Sequence, residues 1–488
     1  MPALSVLDLA MFVLESRERH FNVGPLIVID PPEKQRAKFA DRLLVRMMKR
    51  PVGPPFNYKL HAPLLGVPSL EVDTEFDLSR HVHRITLDAP GSLQQLFDRA
   101  CKLHERHLDR AHPLWEMYII DGLEGGKVAL FGRMHHGVID GRTFVTVVSQ
   151  WLALSPTERT VRAMWEGVPQ RKRGGTRRGL LEQVLRALGQ AKGTAVSAAS
   201  LYRMLAEQAL AAVGVVSGRA MLLPFTRIPK VLQARSSTRR AFDFCNLPIP
   251  AMKALGKAHG VSLNDMLLLT LDVALGRYLH DIGKRPDKPL VTAMPVGLEG
   301  AKGGNQIAIL QFPLGAPGLS AAARLKQIRR HTGTIKDVIK REAGGTVMLF
   351  TTLVHGVPAL LEKLGIRGGI AVSNLVVSNP FGMPEKRYLM GGKVELALPL
   401  SVVNAGQMLN VTAVTLDDQL QIAFLAIPEA VPRLHKLVQY TREAFDAMDA
   451  ELIDVHPAKI AVATARNPAA RRPAARKTSH RATQAPAT

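Results

Sequence analysis

Two adjacent histidines in the first half of the chain are the residues best suited to proton transfer. His135 and His136 are followed by Asp140, four residues after the second histidine, and then by Gly141. An imidazole titrates near neutral pH, so a histidine beside a reactive hydroxyl can act as a general base. A nearby carboxylate can fix the local backbone through a charge-assisted hydrogen bond. The segment is therefore a candidate centre for acid–base chemistry.

The elements that position this segment are indicated by the apolar residues on either side of it. Residues 128–131 are continuously apolar and predict a buried strand. Beyond Gly141, apolar residues at i, i+3, i+4 and i+7 predict a helix; these are Phe144, Val147, Val148 and Trp151. The histidines are thus expected on a strand-to-helix turn, where a rigid scaffold commonly presents functional side chains.

Three interpretations of the two histidines remain open at this point. A metal site is disfavoured, because the pair lacks helical i, i+4 spacing and adjacent strand residues point to opposite faces. A buried, hydrogen-bonded pair would be purely structural. The same opposite-face geometry also allows one histidine to face a channel as a base while the other packs inside, with Asp140 fixing the turn. No metal ion is expected.

Length and charge limit the class of protein. The 488 residues, 47% of them hydrophobic, predict two domains of similar size. The formal net charge is +23, and its basic residues cluster at 171–178 and after Pro457. Such runs indicate either a solvated linker and tail or attraction to anionic membrane surfaces or polyphosphate ligands. Nucleic acid is not an expected partner of the folded part.

The two cysteines and the apolar segments indicate the cellular compartment in which the protein is expected. Cys101 and Cys245 form no CxxC motif, which favours a reducing, cytoplasmic setting over a disulfide framework. No signal peptide is evident at the N-terminus. The apolar stretch 195–223 is interrupted by Arg203, Glu207 and Arg219, so it is not expected to span a membrane. Any membrane contact is expected to be peripheral.

Changes of composition along the chain predict four segments. Residues 1–155 have α/β character, and 156–240 form a basic, Ala-rich helical crossover. Residues 241–456 form a second α/β unit, which includes a helix after Ser262 and a hairpin around Asp417-Asp418. The Ala/Pro/Arg-rich residues 457–488 are expected to be disordered.

Several motifs in order along the chain resemble one known family. The stretch His135 to Gly141 resembles the HHxxxDG signature of CoA-dependent acyltransferases, which peptide-synthetase condensation domains share. The remaining motifs narrow the resemblance to bacterial wax ester synthase/diacylglycerol acyltransferases: Leu4-Ser5 with Asp8 and Phe12, Pro54-Pro55-Phe56-Asn57, Leu108-Asp109-Arg110, Pro113-Leu114-Trp115-Glu116, Asn264-Asp265, Gly304-Asn305-Gln306, and Ser373-Asn374 with Asn379-Pro380. The similarity runs from the start to about residue 450.

This resemblance implies a fold and an activity. The implied fold is α/β, with two chloramphenicol-acetyltransferase-like subdomains, a tunnel between them and a helical crossover. The implied activity is transfer of a fatty acyl group from acyl-CoA to a long-chain alcohol or a diacylglycerol. His136 would be the base that faces the tunnel, while His135 and Asp140 would hold the turn. Acyl-CoA is a substrate, no cofactor is expected, and the protein would be cytoplasmic, at the inner membrane or lipid inclusions.

Supporting roles follow for four further residues. Asp265 stands three residues after Ser262, so helix capping explains it without a catalytic role. Asn264, at the helix start, is positioned either to orient a tunnel group or to donate to the oxyanion. Pro113 and Trp115 are expected to pack at the junction of the subdomains.

One departure from the family pattern affects Asp140. After Met294-Pro295-Val296, family members commonly have Ser-x-Arg, whereas this chain has Gly297-Leu298-Glu299. If that arginine normally pairs with the motif aspartate, Asp140 requires another partner here. Two alternatives to the leading hypothesis remain. One is a condensation-type natural-product acyltransferase that depends on a carrier protein, and the other is a catalytically impaired paralogue that binds lipid surfaces.

Overall fold

The computed structural model describes residues 6–62, 68–139, 141–158, 160–167, 199–208, 210, 222, 225–297, 307–342, 344–366, 371–379 and 382–453. The predicted tail at 457–488 and much of the predicted crossover at 156–240 therefore lie outside the described residues. Asp140 and Glu299 also lie outside them.

The described residues include fourteen strands and nine α-helices with defined ends. The strands are β1 Asn22–Asp30, β2 Tyr58–His61, β3 Ser69–Val72, β4 Val82–Thr86, β5 Trp115–Asp121, β6 Val128–His135, β7 Ala241–Pro248, β8 Val291–Gly297, β9 Ile307–Pro313, β10 Leu375–Ser378, β11 Tyr388–Leu389, β12 Gly392–Leu400, β13 Leu409–Leu416 and β14 Gln419–Ala426. The helices are α1 Val6–Leu14, α2 Phe39–Met48, α3 Leu93–His104, α4 Gly141–Trp151, α5 Ile249–His259, α6 Leu263–Asp281, α7 Ala321–Arg341, α8 Gly344–Lys363 and α9 Leu434–Ile453. Residues 199–208 are also helical.

The first sheet has six strands in the order β11-β12-β1-β6-β5-β4. Its central strand β6 is buried at every position, as expected for a strand covered on both faces. Alternate residues of β1 enter two different cores: Leu26 and Val28 pack toward the second sheet, whereas Ile27 and Ile29 pack beneath α2 and α4. This arrangement fixes the end of β6, where the histidines lie, between two packed layers.

The second sheet has the order β7-β14-β13-β10-β8-β9. The predicted hairpin around Asp417-Asp418 is confirmed as the β13–β14 turn, and Asp417 has a φ of 57° there. Helices α6 and α9 pack on this sheet with one large apolar core. Strands β2 and β3 form a separate two-stranded sheet. The structure therefore shows a mixed α/β architecture built on two six-stranded sheets, as predicted.

One strand pairing crosses the predicted subdomain boundary. β12 pairs antiparallel with β1 at seven positions, from Gly24 with Leu400 to Asp30 with Lys393. Residues 388–400, which the sequence analysis placed in the second subdomain, therefore belong to the first sheet. The pairing of β12 with β1 could not be predicted from the sequence, because strand pairing across hundreds of residues leaves no local pattern.

Helix α8 is the one helix in the described part of the chain whose length and composition would suit a membrane span. Only 39% of its most apolar 18-residue stretch is buried inside the protein. Its buried side chains, which include Val347, Phe350 and Val354, pack into the main core.

Candidate active site

His136 follows the last residue of β6 and is held by the neighbouring strand. Its backbone N–H donates to the Phe21 carbonyl at 2.8 Å, just before β1 begins. The side chain is half-buried and lines a cavity of about 780 Å³. The sheet that carries the motif thus presents this imidazole to the interior of the protein.

His135 points away from that cavity and is packed tightly. Its ring is stacked on Phe12, with centroids 4.3 Å apart and planes 7° from parallel. Its Nδ1 accepts the Gly137 N–H at 3.1 Å, so the proton of the neutral ring resides on Nε2. Nε2 lies 3.8 Å from the Glu15 carboxylate. Burial lowers the pKa of His135 to about 4, with a smaller opposing effect from Glu15. His135 is therefore neutral and supports the turn.

The glycine after the histidines is required by a close approach. A Cβ at Gly137 would lie 2.8 Å from the Phe12 ring and 3.1 Å from the Asp8 carbonyl. Gly141, the second glycine of the motif, is the first residue of α4. The segment between β6 and α4 is therefore too closely packed against α1 for a side chain at position 137.

The cavity lies between the two sheets and is walled mainly by apolar side chains. Both halves of the chain contribute: α1, β1 and α4 from the first half, and β8, β9, α8, β10, β12 and β13 from the second. Apolar lining residues include Met11, Leu14, Phe21, Val23, Ile139, Phe144, Ile307, Ile309, Val376, Met383, Leu398 and Leu400. A site of this size and character suits a ligand with a long apolar chain.

Asn264 and Asp265 have different environments at the start of α6. Asn264 is exposed, and its side-chain oxygen accepts from Asn379, which lines the cavity. Asp265 is buried and accepts the Ser262 N–H at 3.0 Å and the Thr332 hydroxyl at 2.8 Å. The predicted capping box of Ser262 and Asp265 is confirmed. Asn264 therefore has a connection to the cavity, through Asn379.

Trp115 lies in the core beneath the first sheet, and Pro113 is buried two residues before it. Trp115 is 1% exposed, and its indole N–H donates to the Phe56 carbonyl at 2.7 Å. Its ring stacks on those of His81 and Trp165. The Pro113 carbonyl accepts the Trp115 N–H at 2.9 Å. Neither residue lines the cavity. Packing was expected for both at the junction of the subdomains, and the structure places Trp115 in the core beneath the first sheet.

A second histidine in the cavity wall was missed by the sequence analysis. His355 of α8 lines the cavity, and its Nε2 lies 2.7 Å from the side-chain nitrogen of the buried Gln311 on β9. Burial lowers the pKa of His355 to about 4. A lone histidine within the apolar run of residues 346–361 was the available signal, although core histidines give the same pattern.

Ser373 and Asn374, which directly precede β10, take part in hydrogen bonds that hold the backbone in place. Asn374 is fully buried and accepts the Val291 N–H at 2.9 Å, while its amide donates to the Pro229 carbonyl at 2.8 Å. It thereby joins the segment before β7 to β8 at the point where β10 begins. Gln407 donates to the Ser373 hydroxyl. This element holds one side of the second sheet next to the cavity.

The fold is similar to those of solved structures. A wax ester synthase/diacylglycerol acyltransferase from Marinobacter aquaeolei VT8 matches with a TM-score of 0.66 and 23% identity, covering 93% of this chain and 98% of that one. The starter condensation domain of rhizomide synthetase matches with a TM-score of 0.53 and 16% identity, covering 93% and 95%. Both likenesses establish the two-subdomain fold that the HHxxxDG resemblance implied.

Sequence comparison identifies the family. The wax ester synthase/diacylglycerol acyltransferase catalytic domain matches residues 4–267, and the C-terminal domain of the same family matches residues 303–449. A probable diacylglycerol O-acyltransferase of Mycobacterium tuberculosis is 32% identical, covering 92% of this chain and 97% of the relative. The O-acyltransferase WSD of Acinetobacter baylyi is 26% identical, covering 94% and 100%. The chain belongs to the wax ester synthase/diacylglycerol acyltransferase family and is an acyltransferase.

Proposed function

We propose that this acyltransferase moves a fatty acyl group from acyl-CoA to the hydroxyl of a long-chain alcohol or a diacylglycerol, with His136 as the general base. The observation that carries the proposal is the position of His136, whose imidazole lines a large, mainly apolar cavity between the two sheets. The names of similar proteins, which include diacylglycerol O-acyltransferase and wax ester synthase, support both acceptors.

The proposed reaction uses one histidine in two steps. The His136 imidazole takes the acceptor hydroxyl proton as the oxygen attacks the thioester carbonyl carbon. The tetrahedral intermediate then collapses with cleavage of the C–S bond, and the imidazolium returns the proton to the CoA thiolate. An ester and free CoA result, no acyl-enzyme forms, and acyl-CoA is a substrate with no further cofactor. The apolar walls exclude water, which strengthens electrostatic stabilisation of the oxyanion.

We assign the remaining motif residues positioning roles. His135 holds the turn through its ring stack with Phe12 and its contact with the Gly137 N–H. Asp140 is proposed to hold the same turn, with a partner other than the family arginine. Asn264 is proposed to act through Asn379, because the two amides are hydrogen-bonded and Asn379 lines the cavity.

The cellular setting follows from the proposed substrates. A cytoplasmic acyltransferase that acts on membrane-soluble acceptors requires peripheral association with the inner membrane or with lipid inclusions. The net charge of +23 supports attraction to anionic lipid surfaces. Nucleic acid is not a proposed partner.

The test is an acceptor assay with the purified full chain. Palmitoyl-CoA is supplied with hexadecanol or with dioleoylglycerol, thiol release is followed, and the lipid product is identified by mass spectrometry. We expect thiol release that depends on the acceptor and yields a wax ester, a triacylglycerol or both. Absence of CoA release with both acceptors would refute the proposal and leave the impaired-paralogue alternative. Activity only with a carrier-bound acyl group would favour the condensation-type alternative.

A further inference from the structure

Helix α8 presents three distinct faces. At 100° per residue, its apolar core face consists of Val347, Phe350, Val354 and Pro358, all buried. A second face lines the cavity and consists of Thr352, His355, Gly356 and Ala359. The third face consists of Leu353, Val357 and Leu360, and Leu364 continues it just beyond the helix. This third face is apolar although it lies on the outside of the protein.

Large apolar side chains are exposed together at this place. Leu353 and Leu360 are each 46% exposed, and Leu364 is 66% exposed. Val13 on α1 is 48% exposed and Ile366 is 52% exposed. We name these five residues the α1/α8 patch. They are five of the thirteen exposed large hydrophobic residues in the described ranges. Soluble surfaces usually scatter such residues singly, so a cluster indicates a binding surface.

The patch adjoins the cavity through both helices that carry it. Ala10, Met11 and Leu14 of α1 line the cavity, and Val13 between them is exposed. The two helices are joined by an ion pair between the buried Arg19 and Glu362 and by a hydrogen bond from Lys363 to the Val13 carbonyl. One face of each helix therefore borders the cavity while another carries the patch.

Charged groups around the patch complement anionic phospholipid headgroups. Exposed Lys363 lies at the end of α8, and exposed Arg17 follows α1. Of the acidic groups nearby, Glu362 is paired with Arg19 and Glu15 is paired with Arg110, which leaves exposed Glu18. An apolar helix face flanked by cations is the arrangement of interfacial membrane-binding helices. A stable protein–protein interface uses roughly 20–30 residues a side, so five residues fit a lipid surface better than a second copy.

We propose that the α1/α8 patch seats the protein on an anionic phospholipid bilayer, so that an acceptor lipid passes directly from the bilayer into the cavity. The identity of that lipid rests on the proposed function, but the docking itself does not. Leu353, Leu360 and Leu364 insert among the acyl chains, while Lys363 and Arg17 contact headgroup phosphates. The cavity then lies directly behind the two helices that contact the membrane.

The test compares two triple variants of the full chain in vesicle flotation without substrates. L353Q/L360Q/L364Q removes three leucines of the patch and keeps residues that form helices well. The matched control L93Q/L154Q/L319Q removes three exposed leucines located elsewhere. With vesicles of phosphatidylcholine and phosphatidylglycerol, we expect the patch variant to lose binding roughly 10-fold to 100-fold, from the apolar area no longer buried. The control is expected to bind like the parent.

Other outcomes would overturn the proposal. These are a parent chain that does not float with the vesicles, equal binding by the patch variant, or an equal loss in the control. A concentration-dependent dimer without lipid, abolished only in the patch variant, would instead assign the patch to a second copy. Because flotation uses no substrate, an inactive parent that still binds through the patch would contradict the proposed function alone. Circular dichroism spectra of both variants verify their folding.

Discussion

His135 is tightly packed against Phe12, and burial lowers the pKa of its imidazole. The ring is 2% exposed, and burial lowers its pKa from 6.5 to about 4. The unfolded chain binds a proton on this residue near the ordinary value, whereas the folded chain does not. Between these two pKa values the unfolded state holds more protons, so folding stability falls as the pH decreases through that window.

This difference predicts a measurable pH dependence. From about pH 8 to about pH 5, His135 is expected to contribute about 2 kcal/mol to the loss in free energy of unfolding. The variant His135→Gln removes that contribution, because the glutamine side chain does not titrate. Urea unfolding at both pH values measures it. His61→Gln, at an exposed position, should retain the full dependence of the parent, and an unchanged dependence in His135→Gln would contradict the buried neutral imidazole.

At the level of single elements, the start of α6 places the capping residue Asp265 directly after Asn264, for which we propose a positioning role. Ser262 and Asp265 form a capping box that the sequence itself predicts, since their spacing is local. The contact of Asn264 with Asn379 joins residues 115 positions apart, and no local pattern predicts such a pairing. Substitutions of these two adjacent residues are therefore expected to have different consequences.

Asp265→Ala is expected to reduce stability more than activity. The substitution removes the cap and leaves the buried Thr332 hydroxyl without this acceptor, which costs about 1–3 kcal/mol in free energy of unfolding. Activity per folded molecule should stay near that of the parent. Denaturant unfolding and turnover at saturating acyl-CoA measure the two effects, and a large loss of kcat at unchanged stability would assign Asp265 to the chemistry.

Asn264→Ala is expected to show the opposite behaviour. The residue is exposed, so the free energy of unfolding should stay within about 0.5 kcal/mol of the parent value. Loss of its hold on Asn379 should lower kcat roughly 10-fold to 100-fold. The conservative Asn264→Gln variant should recover part of that loss. A variant with full turnover would show that the contact between the two amides has no catalytic consequence.

At the scale of the whole molecule, the two halves are joined by a strand that the second half contributes to the first sheet. β12 comes from the second half of the chain and covers the edge of β1 in the first sheet. Without β11 and β12, the apolar strand β1 would become an exposed edge, and such edges pair with other chains and aggregate.

The pairing of β12 with β1 predicts that residues 1–240 do not fold alone. We expect this fragment to be insoluble or to lack a cooperative unfolding transition, and co-expression with residues 241–488 to restore a soluble complex. Solubility and thermal unfolding monitored by circular dichroism provide the measurement. A soluble fragment 1–240 with cooperative unfolding would show that β1 does not require β12.

Local signals in the sequence were sufficient for the elements and insufficient for their assembly. The strand before His135, the helix from Leu263 and the hairpin at Asp417-Asp418 follow from periodicity and turn residues, and all are present. The opposite orientation of His135 and His136 follows from strand geometry. The β1–β12 pairing and the entry of His355 into the cavity wall depend on tertiary contacts. The outward apolar face of α8 could not be predicted either, because local sequence patterns do not distinguish exposed from buried leucines.

The measurement that tests the central claim most directly is acyl transfer by His136→Ala beside His61→Ala. Loss of a positioned base is expected to lower the rate of acceptor-dependent thiol release about 10²- to 10⁴-fold, while acyl-CoA binding stays close to that of the parent. The exposed His61 variant should keep the rate of the parent. If folded His136→Ala retained the parent rate with hexadecanol or dioleoylglycerol, His136 would not be the general base.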